Sequence, residues 1–173
     1  MSENNAKSNR TAKTAVFFGF FIMGFVDVVG IATNYVKTDF NLSSTLANTI
    51  PMAVFLWFAI CSIPAGILMG RIGKRKTVLV SLIITTLAML LPFLNYTFAI
   101  VLIAFALLGI SNTILQVSLN PLVASMFQKE KTASVLTAGQ FIKSVSSLSG
   151  PIIAGVTTAY SSDWKMTFVV FSI

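Results

Sequence analysis

Nearly all of the chain is divided into long apolar stretches, and the short segments between them hold most of its charges. Five stretches, at about 14–35, 46–69, 77–94, 97–127 and 132–160, approach or exceed the length of a membrane-crossing helix. A helix rises 1.5 Å per residue, so about 20 apolar residues cross a hydrocarbon core of about 30 Å. The fourth and fifth stretches are longer than that and are expected to tilt or to project beyond the lipid. Strands of a membrane barrel would be about 10 residues long with alternating polarity, and no segment alternates that way. Residues 165–173 begin another apolar run, about 14 Å long as a helix. It is expected to be the start of a sixth span in a longer protein.

Composition agrees with helices in lipid. Of 173 residues, 55% are hydrophobic and only 10% charged, whereas a soluble domain carries charge at roughly a quarter of its positions. There is no His, and Cys61 is the only Cys. That excludes an internal disulfide and a His/Cys metal centre. No cofactor is expected. No nucleophile–base pair or metal constellation is visible, so the sequence does not suggest an enzyme.

The net charge of +7 reads as membrane topology and not as a nucleic-acid surface. With the N-terminus inside, the cytoplasmic segments hold Lys7, Arg10, Lys13, Arg71, Lys74, Arg75, Lys76, Lys129 and Lys131. The outer segments hold Lys37 and Lys165. Such an excess of inner Lys and Arg fixes orientation. Residues 1–13 are a polar cytoplasmic tail without signal-peptide character, and 14–173 form the transmembrane bundle. Asn41 to Thr45 supply a polar turn with capping residues before the second span, and Asn95-Tyr96 suits only a tight helical hairpin.

The loop after the second span reads Gly66-Ile67-Leu68-Met69-Gly70-Arg71-Ile72-Gly73-Lys74-Arg75-Lys76. Gly66 and Gly70, four apart, permit close helix contact. Gly73 suits a tight turn, and the basic cluster anchors the loop at the cytoplasmic face. This loop resembles the G-x-L-a-D-r-x-G-r-k/r signature of the major facilitator superfamily, in the same place in the topology. The family's acid in this loop, thought to take part in a gating charge contact, is Gly70 here.

Within that superfamily the chain is similar to the fucose:proton symporter group. Ile63-Pro64-Ala65-Gly66-Ile67-Leu68-Met69 matches the end of that group's second helix. Leu115-Gln116-Val117-Ser118-Leu119-Asn120-Pro121 resembles its L-E-T-x-x-N-P segment in the fourth helix. Leu136 to Ser144, followed by Gly150-Pro151, resembles its L-N-x-x-Q-x-F-N-S…G-P pattern in the fifth. The resemblance implies an all-α membrane protein, the N-terminal six-helix half of a 12-helix fold built from 3+3 inverted repeats, truncated in its sixth helix. It also implies a second six-helix half as partner, a small-molecule substrate, protons as coupling ion, and the inner membrane of a bacterium. In this group the fourth-helix acid is implicated in proton coupling and a fifth-helix asparagine in sugar contact. Here those positions are Gln116 and Lys143.

The polar residues inside the spans are the candidate site. A charge at mid-bilayer costs at least about 2.5–3.5 kcal/mol on insertion scales, so it faces protein or a water-filled cavity. Asp27 lies roughly 20 Å from the inner end of the first span, and Lys143 roughly 17 Å from that of the fifth. At this similar depth an Asp27–Lys143 pair, direct or through water, is expected, either as a structural ion pair or with a coupling or substrate role. Asn112, Gln116 and Asn120 share one helix face at i, i+4 and i+8. Their carboxamides suit hydroxyl-rich ligands, although such groups also join helices. Gln140, Lys143, Ser144 and Ser147 form a second polar stripe.

Proton-coupled uptake of a sugar or sugar derivative by alternating access is the function expected, with Asp27 titrating. A lysine in the cavity points to an anionic substrate such as a sugar acid. Gly66, Gly70, Arg71, Gly73, Lys74 and Arg75 form the expected gating loop. A drug:proton antiporter is the alternative, since Gly150-Pro151-Ile152-Ile153-Ala154-Gly155 resembles the antiporter motif G-x-x-x-G-P-x-x-G-G. Four residues before Gly109, however, Phe105 stands where that class has arginine. A non-transporting polytopic membrane protein is the third reading.

Overall fold

The computed structural model describes residues 14–161. The described residues form five long helices joined by short turns, with no strand among them. Helix α1 spans Thr14–Asp39, α2 Ser44–Ile72, α3 Lys74–Leu94, α4 Phe98–Met126 and α5 Lys129–Ser161. These bounds lie within four residues of the expected spans. The beginning of a sixth span, at 165–173, falls outside the described residues, as does the tail at 1–13.

Four of the five helices, α1 to α4, are long and apolar enough to cross a membrane. Helix α5 is long enough at 33 residues, but Gln140, Lys143 and a series of serines keep it below the apolarity of the others. A polar fifth helix needs protein or water along part of its length.

The turns follow from local chemistry. Ser43 accepts a hydrogen bond from the Leu46 backbone N–H at 3.3 Å and caps α2. Thr97 does the same for α4 through the Ile100 N–H. Gly73, at φ 85° and ψ 153°, joins α2 to α3 in a backbone region that only glycine occupies without strain. Between α1 and α2, Lys37 reaches Ser44 Oγ at 2.9 Å. The Tyr96 hydroxyl donates to Asp39 at 2.6 Å, and the Phe40 ring packs on Tyr96 with centroids 5.0 Å apart. The α1–α2 and α3–α4 turns therefore lie at the same end of the bundle, as alternating spans require.

Helix α4 is the central element. Over its most apolar stretch 56% is buried, against 11% for α2. It packs antiparallel to α3: Lys74 donates to the Pro121 carbonyl at 3.1 Å, and Thr85 to Ser111 Oγ at 3.0 Å. It packs parallel to α2, where Gly109 presses on the backbone of Val54. Helix α1 packs along α5 in parallel, with Phe20 against Gly139, Gly24 against Lys143 and Ser146, and Val28 beside Gly150. Farther along, Thr158 bonds to the Tyr35 hydroxyl. Two helices separated by four reversals must run the same way, so this register agrees with the sequential crossing of five spans.

Candidate functional site

The site is built where α1 meets α5. Residues Gly24–Val28 wind as a 3-10 turn inside α1. Such a tightened turn in mid-helix is unusual and accompanies hinges or strained sequences. Gly24 begins it, and its missing side chain is required. A Cβ there would sit 2.7 Å from the Lys143 carbonyl oxygen and 2.5 Å from Ser146 Cβ. The two helices thus meet backbone to backbone, one turn before Asp27.

Asp27 projects from the 3-10 turn and is exposed on the described part of the chain. Its carboxylate accepts a hydrogen bond from Ser147 Oγ. Ser147 also lies 3.1 Å from the Lys143 carbonyl oxygen, its own i−4 acceptor. Asp27 and Lys143 are brought to the same crossing, but no ion pair joins them. The direct form of the expected pair is therefore not what forms: the carboxylate is taken by the serine one turn farther along α5. Lys143 is half-buried, and its ammonium makes no hydrogen bond or ion pair among the described residues. Beside it, Ser146 is 1% exposed, and its hydroxyl has no partner among the described residues.

Helix α4 supplies the carboxamides. Asn112 is buried at 6% exposure, while Gln116 and Asn120 are half-buried. The shared face thus runs from the packed interior at Asn112 toward the basic end at Asn120, whose Oδ1 is buried without a partner among the described residues. Gln140 is exposed, one turn before Lys143 on α5. In the basic loop, Lys74 ties α3 to the Pro121 carbonyl beside Asn120, and Arg75 edges an apolar groove of about 350 Å³ between α1, α3 and α4. Gly66 and Gly70 do not mediate close contact among the described residues. A Cβ on either would meet nothing within 4 Å.

The close approaches lie instead at Gly24, Gly109 and Gly139, and Ser147 is the partner of Asp27. Sequence reading missed the three glycines and gave Ser147 no role beyond the polar stripe. A signal was present for Gly24, a glycine one turn before the only acid between residues 14 and 38. Nothing in the sequence singles out Ser147 from Ser144, Ser146 and Ser149.

The family model of the Major Facilitator Superfamily matches residues 15–173. The chain belongs to this superfamily. It is 31% identical over 157 residues to a glucose/galactose transporter of Brucella abortus biovar 1 (strain 9-941), covering 88% of this chain and 38% of that protein. It is 26% identical over 167 residues to a hexuronate transporter of Bacillus subtilis (strain 168), covering 93% of this chain and 39% of that one. The chain spans about two fifths of the length of these relatives. Both of these relatives are named as transporters, as the superfamily match leads one to expect.

Proposed function

We propose that this chain is the N-terminal part of a secondary transporter that takes up a sugar acid or related sugar with protons, by alternating access across the inner membrane of a bacterium, N-terminus inside. The observation that carries the reading is the α1–α5 crossing, where Asp27 bonds to Ser147, one turn along α5 from Lys143, and no ion pair joins Asp27 to that lysine. Lys143, with no anionic partner among the described residues, is the group that receives the substrate's carboxylate, and Asp27 is the group that takes up and releases the proton. Gln140 precedes Lys143 by one turn, and Asn112, Gln116 and Asn120 present amide donors and acceptors from α4 for the sugar hydroxyls. The loop at Gly66, Gly70, Arg71, Gly73, Lys74 and Arg75 gates the inner side, its anchor being the Lys74–Pro121 contact in place of the family's acid. The substrate class is supported by the two kinds of relative, one named for neutral hexoses and one for hexuronates.

Reconstituting the complete transporter and measuring binding of neutral hexoses, hexuronates and lipophilic cations tests this reading. Saturable hexuronate binding that weakens about tenfold or more in Lys143→Ala is expected, in line with the loss of one charge-assisted contact. Binding of lipophilic cations alone would refute it.

A further inference from the structure

Asp27 is held by a hydroxyl, and that choice of partner has consequences for a group that must exist in two charge states. The charged residues on the elements around it are few. Helix α4 carries none, α2 carries only Arg71 and α3 only Lys74, Arg75 and Lys76, all at the basic end. Helix α5 carries Lys129, Glu130 and Lys131 at its basic end and Lys143 farther along, and Lys143 makes no ion pair with Asp27. The polar contact made by the carboxylate is with Ser147 Oγ.

A serine hydroxyl has one proton and two acceptor lone pairs, and here it faces two acceptors, the Asp27 carboxylate and the Lys143 main-chain carbonyl. With Asp27 ionised, the hydroxyl proton serves the carboxylate. With Asp27 protonated, the carboxyl O–H donates to Ser147 Oγ, and the serine proton turns to the Lys143 carbonyl. The proton added is the only one gained, and the Asp27 carboxyl group and the Ser147 hydroxyl keep each other as partners in both states. A lysine partner would hold the carboxylate ionised, and an apolar neighbour would hold it neutral.

We propose that Ser147 is a positioning residue for the proton step, an ambivalent partner that holds Asp27 to helix α5 in both charge states and reports the change to the main chain at Lys143. This inference rests on Asp27 being the coupling group. The close contact of Gly24 with the Lys143 carbonyl and Ser146 brings the two helices together one turn before this hydrogen bond.

The test compares Ser147→Thr with Ser147→Val in the complete transporter in proteoliposomes, because the two replacements have the same shape and differ by the hydroxyl. Proton-driven accumulation and energy-independent exchange are measured in the same vesicles, with Asp27→Asn in parallel. Threonine is expected to keep the wild-type ratio of accumulation to exchange and the wild-type pH profile. Valine is expected to lower that ratio about tenfold or more and to displace the profile. Valine behaving as threonine, or both losing accumulation equally, would overturn the role of the hydroxyl. Wild-type accumulation in Asp27→Asn would instead refute the assignment of Asp27 as the coupling group.

Discussion

The α2–α4 and α1–α5 crossings solve the same problem in different ways. Both bring parallel helices together at a glycine with no room for a Cβ, Gly109 against Val54 and Gly24 against Lys143 and Ser146. Gly109 meets the backbone of apolar Val54, which shares a buried apolar cluster with Ile50 from α2 and Phe105 and Leu108 from α4. Around Gly24 the neighbours are Asp27, Lys143, Ser146 and Ser147, on a 3-10 turn facing the most polar helix. In lipid no hydrophobic force distinguishes helix from tail, so close packing and polar contacts hold helices together. The first crossing relies on packing alone and has one arrangement. The second includes hydrogen bonds whose donors and acceptors can exchange, so it is suited to change state.

Substitutions can break that contrast. Gly109→Ala places a Cβ 2.4 Å from the Val54 carbonyl oxygen and 2.9 Å from its Cα. No side chain there can yield, so the helices must separate, at a cost near the upper end of overpacking, about 3 kcal/mol. Unfolding in detergent should reveal it. Gly24→Ala is expected to cost no more than that, about 1–3 kcal/mol, its added Cβ meeting Ser146 Cβ at 2.5 Å and the Lys143 carbonyl oxygen at 2.7 Å. It should nevertheless abolish proton-driven uptake at normal expression, since it displaces the turn that carries Asp27. If Gly24→Ala keeps uptake, the α1–α5 contact is packing only.

The hydroxyl contact between α3 and α4 is a control for the one between α5 and α1. Thr85→Val removes the 3.0 Å bond to Ser111. It should destabilise by about 0.6 kcal/mol, the average for such bonds in membranes, with transport unchanged. Gly66→Ala is the smallest effect expected, within about 0.5 kcal/mol, because nothing lies within 4 Å of the added methyl. A large loss there would place an unseen partner against the basic end of α2.

The helices were legible in the sequence because span length and polarity are set by the bilayer, a local constraint on each stretch. Gly73 was legible for a similar reason, since a two-helix turn needs a conformation open to glycine. Depth along a helix follows from the rise per residue, so Asp27 and Lys143 could be placed together. Their direct pairing could not be inferred that way, because rotation about each helix decides which side chain of α5 meets the carboxylate. That rotation is set by the backbone contact at Gly24, which depends on two segments 120 residues apart. Gly66 and Gly70 show the converse. Their spacing permits a close contact, but contact requires a facing helix, and among the described residues none is there.

The central claim is that Asp27 and Lys143 hold separate posts and do not neutralise each other. A double-mutant cycle on the stability of the chain in nanodiscs, with Asp27→Asn, Lys143→Met and the pair, measures this directly. Independent roles predict that the two losses add to within about 0.5 kcal/mol. A structural ion pair predicts single losses of about 3–5 kcal/mol that are largely recovered in the double variant, and that result would contradict the account.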